Sequence, residues 1–170
     1  SKYGNLEVAK VLLEEGYANV DDKDNRLRTP LHYALAHGHI ALARMLLYNG
    51  EAAREPRDAD GMTPLLLLCK HGHHQDLVDF VEDYWLDTQV VSAEGESALV
   101  LASRYGHFEA VEILLDMSAK YDYTSIDEID QSINIASYYG HAEVVKALIL
   151  FGQNFFYGPL KDTSIVRQTR

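Results

Sequence analysis

The chain has 170 residues, 47% apolar and 24% charged, enough for one domain with a sizeable core and too apolar for a disordered chain. Fifteen basic residues against 26 acidic ones leave a formal charge of -11, the wrong sign for attraction to phosphate backbones or anionic lipid. The longest apolar runs, PLLLLC and KALILFG, fall far short of the roughly 18 residues a membrane helix needs, and no basic-then-apolar signal opens the chain. No nucleic-acid partner and no membrane insertion are therefore expected. A single cysteine, Cys69, excludes an intramolecular disulfide framework, and the expected compartment is cytosol or nucleus.

Gly4, Gly38, Gly72, Gly106 and Gly140 follow one another at intervals of 34 residues without a slip, so the chain divides into registered units. Residues 1–21 hold the turn glycine Gly4 and one helix-period segment with Leu6, Val8, Leu12 and Leu13. The register predicts a second helix without its first, a partial unit belonging to a longer parent chain. Residues 22–55 carry Thr29-Pro30-Leu31-His32-Tyr33-Ala34, then Gly38-His39, then a second apolar-periodic stretch with Ile40, Ala43, Leu46 and Leu47. Threonine can cap the first helix, and proline at its first position leaves no amide unpaired.

Residues 56–89 repeat the pattern with Thr63-Pro64 and Gly72-His73, but Asp76 and Asp79 stand where other copies have Leu42, Ala110, Met45 and Ile113. Burying carboxylates unpaired costs several kcal/mol, so this second helix is predicted to be turned or displaced. Asp76 and Asp79 then face solvent or a cation such as Arg44, and Val78 with Tyr84, Trp85 and Leu86 forms an apolar patch on the back. Residues 90–123 carry Ser97-Ala98-Leu99 and Gly106-His107; residues 124–157 carry a worn Gln131-Ser132-Ile133 and Gly140-His141. Residues 158–170 are a cap or tail, and Phe155, Phe156, Tyr157 and Leu160 are expected to cover the end of the stack.

Between units, Gly61 and Gly95 fall at a hairpin tip where positive φ suits glycine. Leu27 and Ile129 occupy that place in the other copies and are expected to expose an apolar side chain there. Gly16, Gly50 and Gly152 mark second-helix ends, whereas Tyr84 and Ser118 predict less clean ends in the middle copies.

The unit, helix, Gly-His turn, longer helix and polar excursion, resembles the ankyrin repeat, whose Thr-Pro-Leu-His-x-Ala signature stands intact at Thr29 to Ala34. The resemblance covers residues 1 to about 157, with one residue more per unit than the usual ~33. It implies an all-α solenoid joined by hairpin-like loops, in which stacking of units makes the core. It also implies a non-catalytic protein-binding module whose fingertips and exposed first-helix positions touch the partner in a concave groove. Carried onto this chain, the partner-binding candidates are Tyr3, Arg26, Arg28, His37, Met62, Lys70, His71, Glu94, Glu96, Arg104, Tyr105, Asp127, Glu128, Asp130, Tyr138 and Tyr139.

Two columns of the repeat stand out among these. The residue before each turn glycine runs Tyr3, His37, His71, Tyr105, Tyr139, an aromatic stripe of the kind that dominates interface hot spots. The fingertips run from basic Arg26 and Arg28 to acidic Glu94, Glu96, Asp127, Glu128 and Asp130. The expected partner is a protein segment with basic and apolar residues, its basic end toward the C-terminal units. Packing alone for the stripe, and simple solvation for the acidic tips, stand as the competing readings.

Eight histidines invite a metal reading, yet His39, His73, His107 and His141 are turn residues and His32 belongs to the signature. His37, His71 and His74 remain, without the Cys/His spacing of a zinc site. Cys69 lies in a first helix as a small core thiol. No nucleophile elbow, phosphate loop or paired-carboxylate motif is present, so no catalytic, cofactor-binding or metal residue is expected. Two further readings stay open: a recruiting or autoinhibitory arm of a larger enzyme, and an assembly subunit that contacts through its ends or convex face.

Overall fold

A computed structural model describes residues 6–15, 19–48, 52–75, 77–84, 87–121 and 124–156. The expectations for Tyr3, Gly4, Gly16, Gly50, Asp76, Trp85, Leu86, Tyr157 and Leu160 lie outside these residues, as does that for the side chain of Tyr84. Helices follow in the order α1 Leu6–Glu14, α2 Pro30–Ala36, α3 Ile40–Tyr48, α4 Pro64–His71, α5 Leu77–Tyr84, α6 Ala98–Tyr105, α7 Phe108–Tyr121, α8 Ile126–Tyr139 and α9 Ala142–Phe156. The described residues hold no strand beyond an isolated bridge between Val91 and Ser97. The fold is an all-α repeat solenoid: α2, α4, α6 and α8 stack as an inner row, and each folds back on its outer partner α3, α5, α7 or α9.

Local chemistry sets each unit. Thr63 and Ser97 have extended backbone and accept the amides of Leu66 and Val100 at 3.4 and 3.3 Å, closing the helix starts. At the first signature His32 takes this part, its Nδ1 accepting the Thr29 amide at 3.0 Å. Its Nε2 donates to the Met62 carbonyl of the next unit at 3.1 Å, so one buried ring ties two repeats.

The Gly-His turn ties them again. His73, His107 and His141 donate Nε2–H to the carbonyls of Ala36, Lys70 and Arg104 at 3.4, 3.0 and 2.9 Å. Each ring lies on the turn glycine of the preceding unit. Gly72 has φ +72°, and a Cβ there would lie 2.5 Å from His107 Nδ1, so glycine is required both by conformation and by space.

The core is continuous along the stack, with Leu31, Leu35, Leu65, Leu66, Leu68, Phe80, Val100, Val111 and Leu148 fully buried. Cys69 sits among them, and burial pushes its thiol up to about 12, which makes it an inert core group.

Three fingertips share one geometry. The amides of Asp24, Asp58 and Ser92 bond the carbonyls of Arg28, Met62 and Glu96, at 3.0, 3.1 and 3.0 Å. The side chains of Asp24, Asp58 and Ser92 accept two amides each inside the tip. Gly61 and Gly95 take positive φ of 69° and 78°; Leu27 takes 59° and is 49% exposed.

The last unit departs from the expectation. Ile129 is buried inside α8, and no tip forms around it. The register Pro30, Pro64, Ala98 would start this helix at Ser132, yet α8 starts six residues earlier at Ile126. Ile126 stands where Asp24, Asp58 and Ser92 build the tip, and Ile129 where glycine turns it. Ser125 instead caps a helix, accepting the Glu128 amide at 3.1 Å.

Gly152 does not end α9, which runs on to Phe156, and α7 continues past Ser118 to Tyr121. In the third unit α5 starts at Leu77, three residues after the registered position His74, and buries Leu77, Phe80 and Val81. Asp79 points outward and pairs with Arg44 at 2.9 Å; Glu82 pairs with Lys120 at 2.7 Å on the other side. That ammonium holds the Glu82 carboxyl below its ordinary value. Val78 is exposed on the same helix.

Candidate functional site

The tips and the C-terminal ends of the inner helices meet along one side of the solenoid. Between the second and third tips they enclose a cleft of about 360 Å³. Its wall brings together Asp60, Lys70, Glu94, Glu96, Arg104 and Tyr105, so six residues from two units converge on one space.

The column ahead of the turn glycine is exposed at His37, His71, Tyr105 and Tyr139. Each ring rests on the turn histidine two residues on, with centroids 6.1, 6.3, 6.3 and 6.4 Å apart. Because those histidines are bonded to the neighbouring unit at His73, His107 and His141, the column is carried on a rigid support. Lys70 lies over Tyr105 at 5.9 Å and Arg104 over Tyr139 at 5.8 Å, each one unit back along the stack. Tyr138 is 81% exposed and meets Tyr139 edge-on at 5.0 Å.

Two expected contact residues prove to be core residues. Met62 is 5% exposed, covered as its tip folds under the next one, and offers its carbonyl to His32 rather than its side chain to a partner. Glu96 is 8% exposed and is spent on an ion pair with Arg104, whose guanidinium also bonds the Tyr139 hydroxyl at 3.3 Å.

The charge gradient is altered by internal pairing. Arg26 pairs with Asp60 of the next tip at 2.6 Å, and Arg28 with Asp24 of its own tip at 2.6 Å, so the basic end is locally neutralised. The Arg28 guanidinium holds the Asp24 carboxyl far below the usual range. Glu128 accepts from the Ser97 hydroxyl of the preceding unit. Glu94, Asp127 and Asp130 are exposed and carry no ion pair among the described residues. The surface therefore runs from neutral to acidic, and Asp127, Glu128 and Asp130 stand in the first turns of α8 rather than on a fingertip.

Sequence reasoning missed the reciprocal partners Asp24, Ser97 and Arg57, whose guanidinium bonds Val91 and Gly61 carbonyls at 2.7 and 3.1 Å. Only part of this was signalled by the repeat interval: Arg57 reaches the Val91 carbonyl 34 residues on and Ser97 reaches Glu128 31 residues on, whereas Asp24 and Arg28 pair within one tip, four residues apart. Among the described residues, no group of three or more His, Cys, Asp or Glu is gathered to hold a metal ion. His74 instead donates Nδ1–H to the Gly72 carbonyl at 3.2 Å. No described helix is long and apolar enough to cross a membrane.

A search of curated proteins returned no match. The family model described as ankyrin repeats (3 copies) matches residues 1–56, 49–127 and 77–157, which spans nearly the whole chain. Proteins of that family generally mediate protein–protein interaction and are typically non-catalytic. With the registered turns, inner and outer helix rows and stacked tips, the match places this chain in the ankyrin-repeat family.

Proposed function

We propose that the chain is a non-catalytic module that holds an extended or helical protein segment along its tips and inner-helix ends. The segment carries Lys or Arg together with apolar residues, and its basic end lies toward the C-terminal units. The observation that carries this reading is the combination of Tyr105 and Tyr139, exposed and backed by bonded histidines, and the exposed Tyr138 against Tyr139, with Glu94 beside Tyr105 and Asp127 and Asp130 at the other end of α8, none of the three acids in an ion pair among the described residues. Rigid aromatic surface gives contact area with little rotamer entropy to lose. Uncompensated carboxylates favour a cationic partner without first breaking an internal pair.

The test is a peptide array varying basic and apolar content, followed by affinity measurements on the best binders. Tyr105→Ala with Tyr139→Ala is expected to weaken binding by roughly tenfold or more, as for hot-spot truncation. Glu94→Lys should weaken it in a salt-dependent way. Unchanged affinity in both variants would sink the groove assignment.

A second reading, assembly through an end of the stack, is favoured by Leu12. It is 40% exposed, while Leu46, Phe80, Leu114 and Leu148 in the same column are at most 3% exposed. Loss of self-association or partner capture on Leu12→Ser, with the groove variants silent, would favour that reading.

A further inference from the structure

We propose that residues 157–170 of this chain dock along the uncovered face of α8 and there compete with the partner segment. The competition rests on the proposed function; the docking does not.

Asp127, Asp130, Asn134 and Tyr138 recur at helical spacing and form one stripe down α8, and all four are exposed. The equivalents of Asp130, Asn134 and Tyr138 in the preceding units are Met62 and Glu96, Leu66 and Val100, Lys70 and Arg104, all buried or half-buried, whereas those of Asp127, Ala59 and Ala93, are exposed at the tips. From Asp130 to Tyr138 the stripe is therefore the face on which an inner helix sits in internal units, and Asp127 lies at its edge. No other described element covers it.

The chain itself is delivered to this face. Gly152 of α9 packs on Ile129 of α8, where a Cβ would meet the Ile129 Cγ2 at 3.7 Å. One turn further on, α9 ends at Phe156, beside the first turns of α8 that hold Asp127 and Asp130. The sequence then continues YGPLKDTSIVRQTR, with Lys161, Arg167 and Arg170 against a single acid, Asp162, the reverse of the balance in the whole chain. Fourteen residues can extend about 46 Å, and the stripe from Asp127 to Tyr138 is only ~16 Å long.

The order also matches. Lys161 comes first, where Asp127 and Asp130 lie without an ion pair among the described residues, and the apolar Ile165 and Val166 follow in the direction of Tyr138. A basic and apolar segment held in cis has a high effective concentration and needs only weak contacts to compete with one in trans.

Limited trypsin cleavage after Arg167 in the full 170-residue chain reads the docking directly. Asp127→Lys with Asp130→Lys is expected to speed that cleavage about fivefold, as the population of the open segment rises. Adding Lys161→Glu to this variant should restore the protection. In the wild type, high salt should speed the cleavage similarly. Equal cleavage in wild type and charge-reversed variant overturns the docking, as does indifference of the wild type to salt should the variant fail to fold. Peptide binding that depends on Tyr105 and Tyr139, with Arg167 cleavage insensitive to the reversal, overturns the docking and leaves the proposed function standing. A protected segment in a chain that binds no basic peptide overturns the competition alone.

Discussion

His32 shows how much one side chain can carry in this fold. Both ring nitrogens are used, one accepting the Thr29 amide and the other donating to the Met62 carbonyl, and the ring is buried. Burial lowers its pKa below the ordinary 6.5, because a charged imidazolium loses water and cannot accept from Thr29. An unfolded chain then takes up a proton that the folded one refuses. Its contribution is fully present above about pH 6.5 and is lost as pH falls from there toward the lower folded value. Urea midpoints at about pH 7.5 and about pH 5.5 should fall more for wild type than for His32→Gln. At the higher pH the substitution itself should cost about 1–3 kcal/mol, since it strands buried groups. Parallel pH profiles for the two proteins would contradict the assignment.

Leu27 makes the opposite point. The tip needs a residue at φ 59°, which is strained for leucine by roughly 1–2 kcal/mol, and the side chain is left half-exposed. Its place at the tip was legible from the interval to Gly61 and Gly95. Ile129, in the same column, was misplaced because a column match says nothing about whether the rest of the tip can form.

At the scale of the element, α8 and α5 are where the repeat bends its own rules. α8 gains almost two turns because Ser125 and Glu128 spell a helix start, while Ile126 cannot supply the acceptor that folds a tip. α5 loses a turn where the registered core position holds Asp79, which is placed outward toward Arg44, and the next turn sends Glu82 outward to Lys120. Such exposed pairs are worth ~0.2–1 kcal/mol each, so the helix is held mainly by Leu77 and Phe80. α9 yields a sharper prediction. Gly152 lies within the helix without positive φ, and a Cβ there would make ordinary contact with Ile129 at 3.7 Å. Gly152→Ala should therefore stabilise the chain by about 0.5–1 kcal/mol, raising the thermal midpoint. A lower midpoint would mean that Gly152 ends the helix, as its place in the sequence suggested.

The whole molecule is quasi-one-dimensional: each unit touches its neighbours, and stability passes from one to the next. α1 packs on α3, while its Val11 and Leu12 remain exposed; α6 has both inner-row neighbours, α4 and α8. Opening should then begin at α1 and reach α6 last. Hydrogen exchange at amides of Val11 and Leu12 is expected to be at least about a hundredfold faster than at Leu101 and Ala102. Uniform protection along the chain would instead indicate all-or-none unfolding.

The sequence by itself determined the interval of 34, the capped inner helices, the glycine turns and the identity of most core residues, because these follow from chain-local chemistry repeated in register. Tertiary structure alone decided which polar groups were left over. Arg26, Arg28, Glu96 and Arg104 looked like equal candidates for a partner, and internal pairing within and between units neutralises their charges, burying Glu96 but leaving Arg26 exposed. Met62 is buried as well, its carbonyl taken by His32 of the preceding unit. Composition and spacing report what a residue can do. Whether it is still free to do so depends on what packs against it, and in a stack that is set by the next unit.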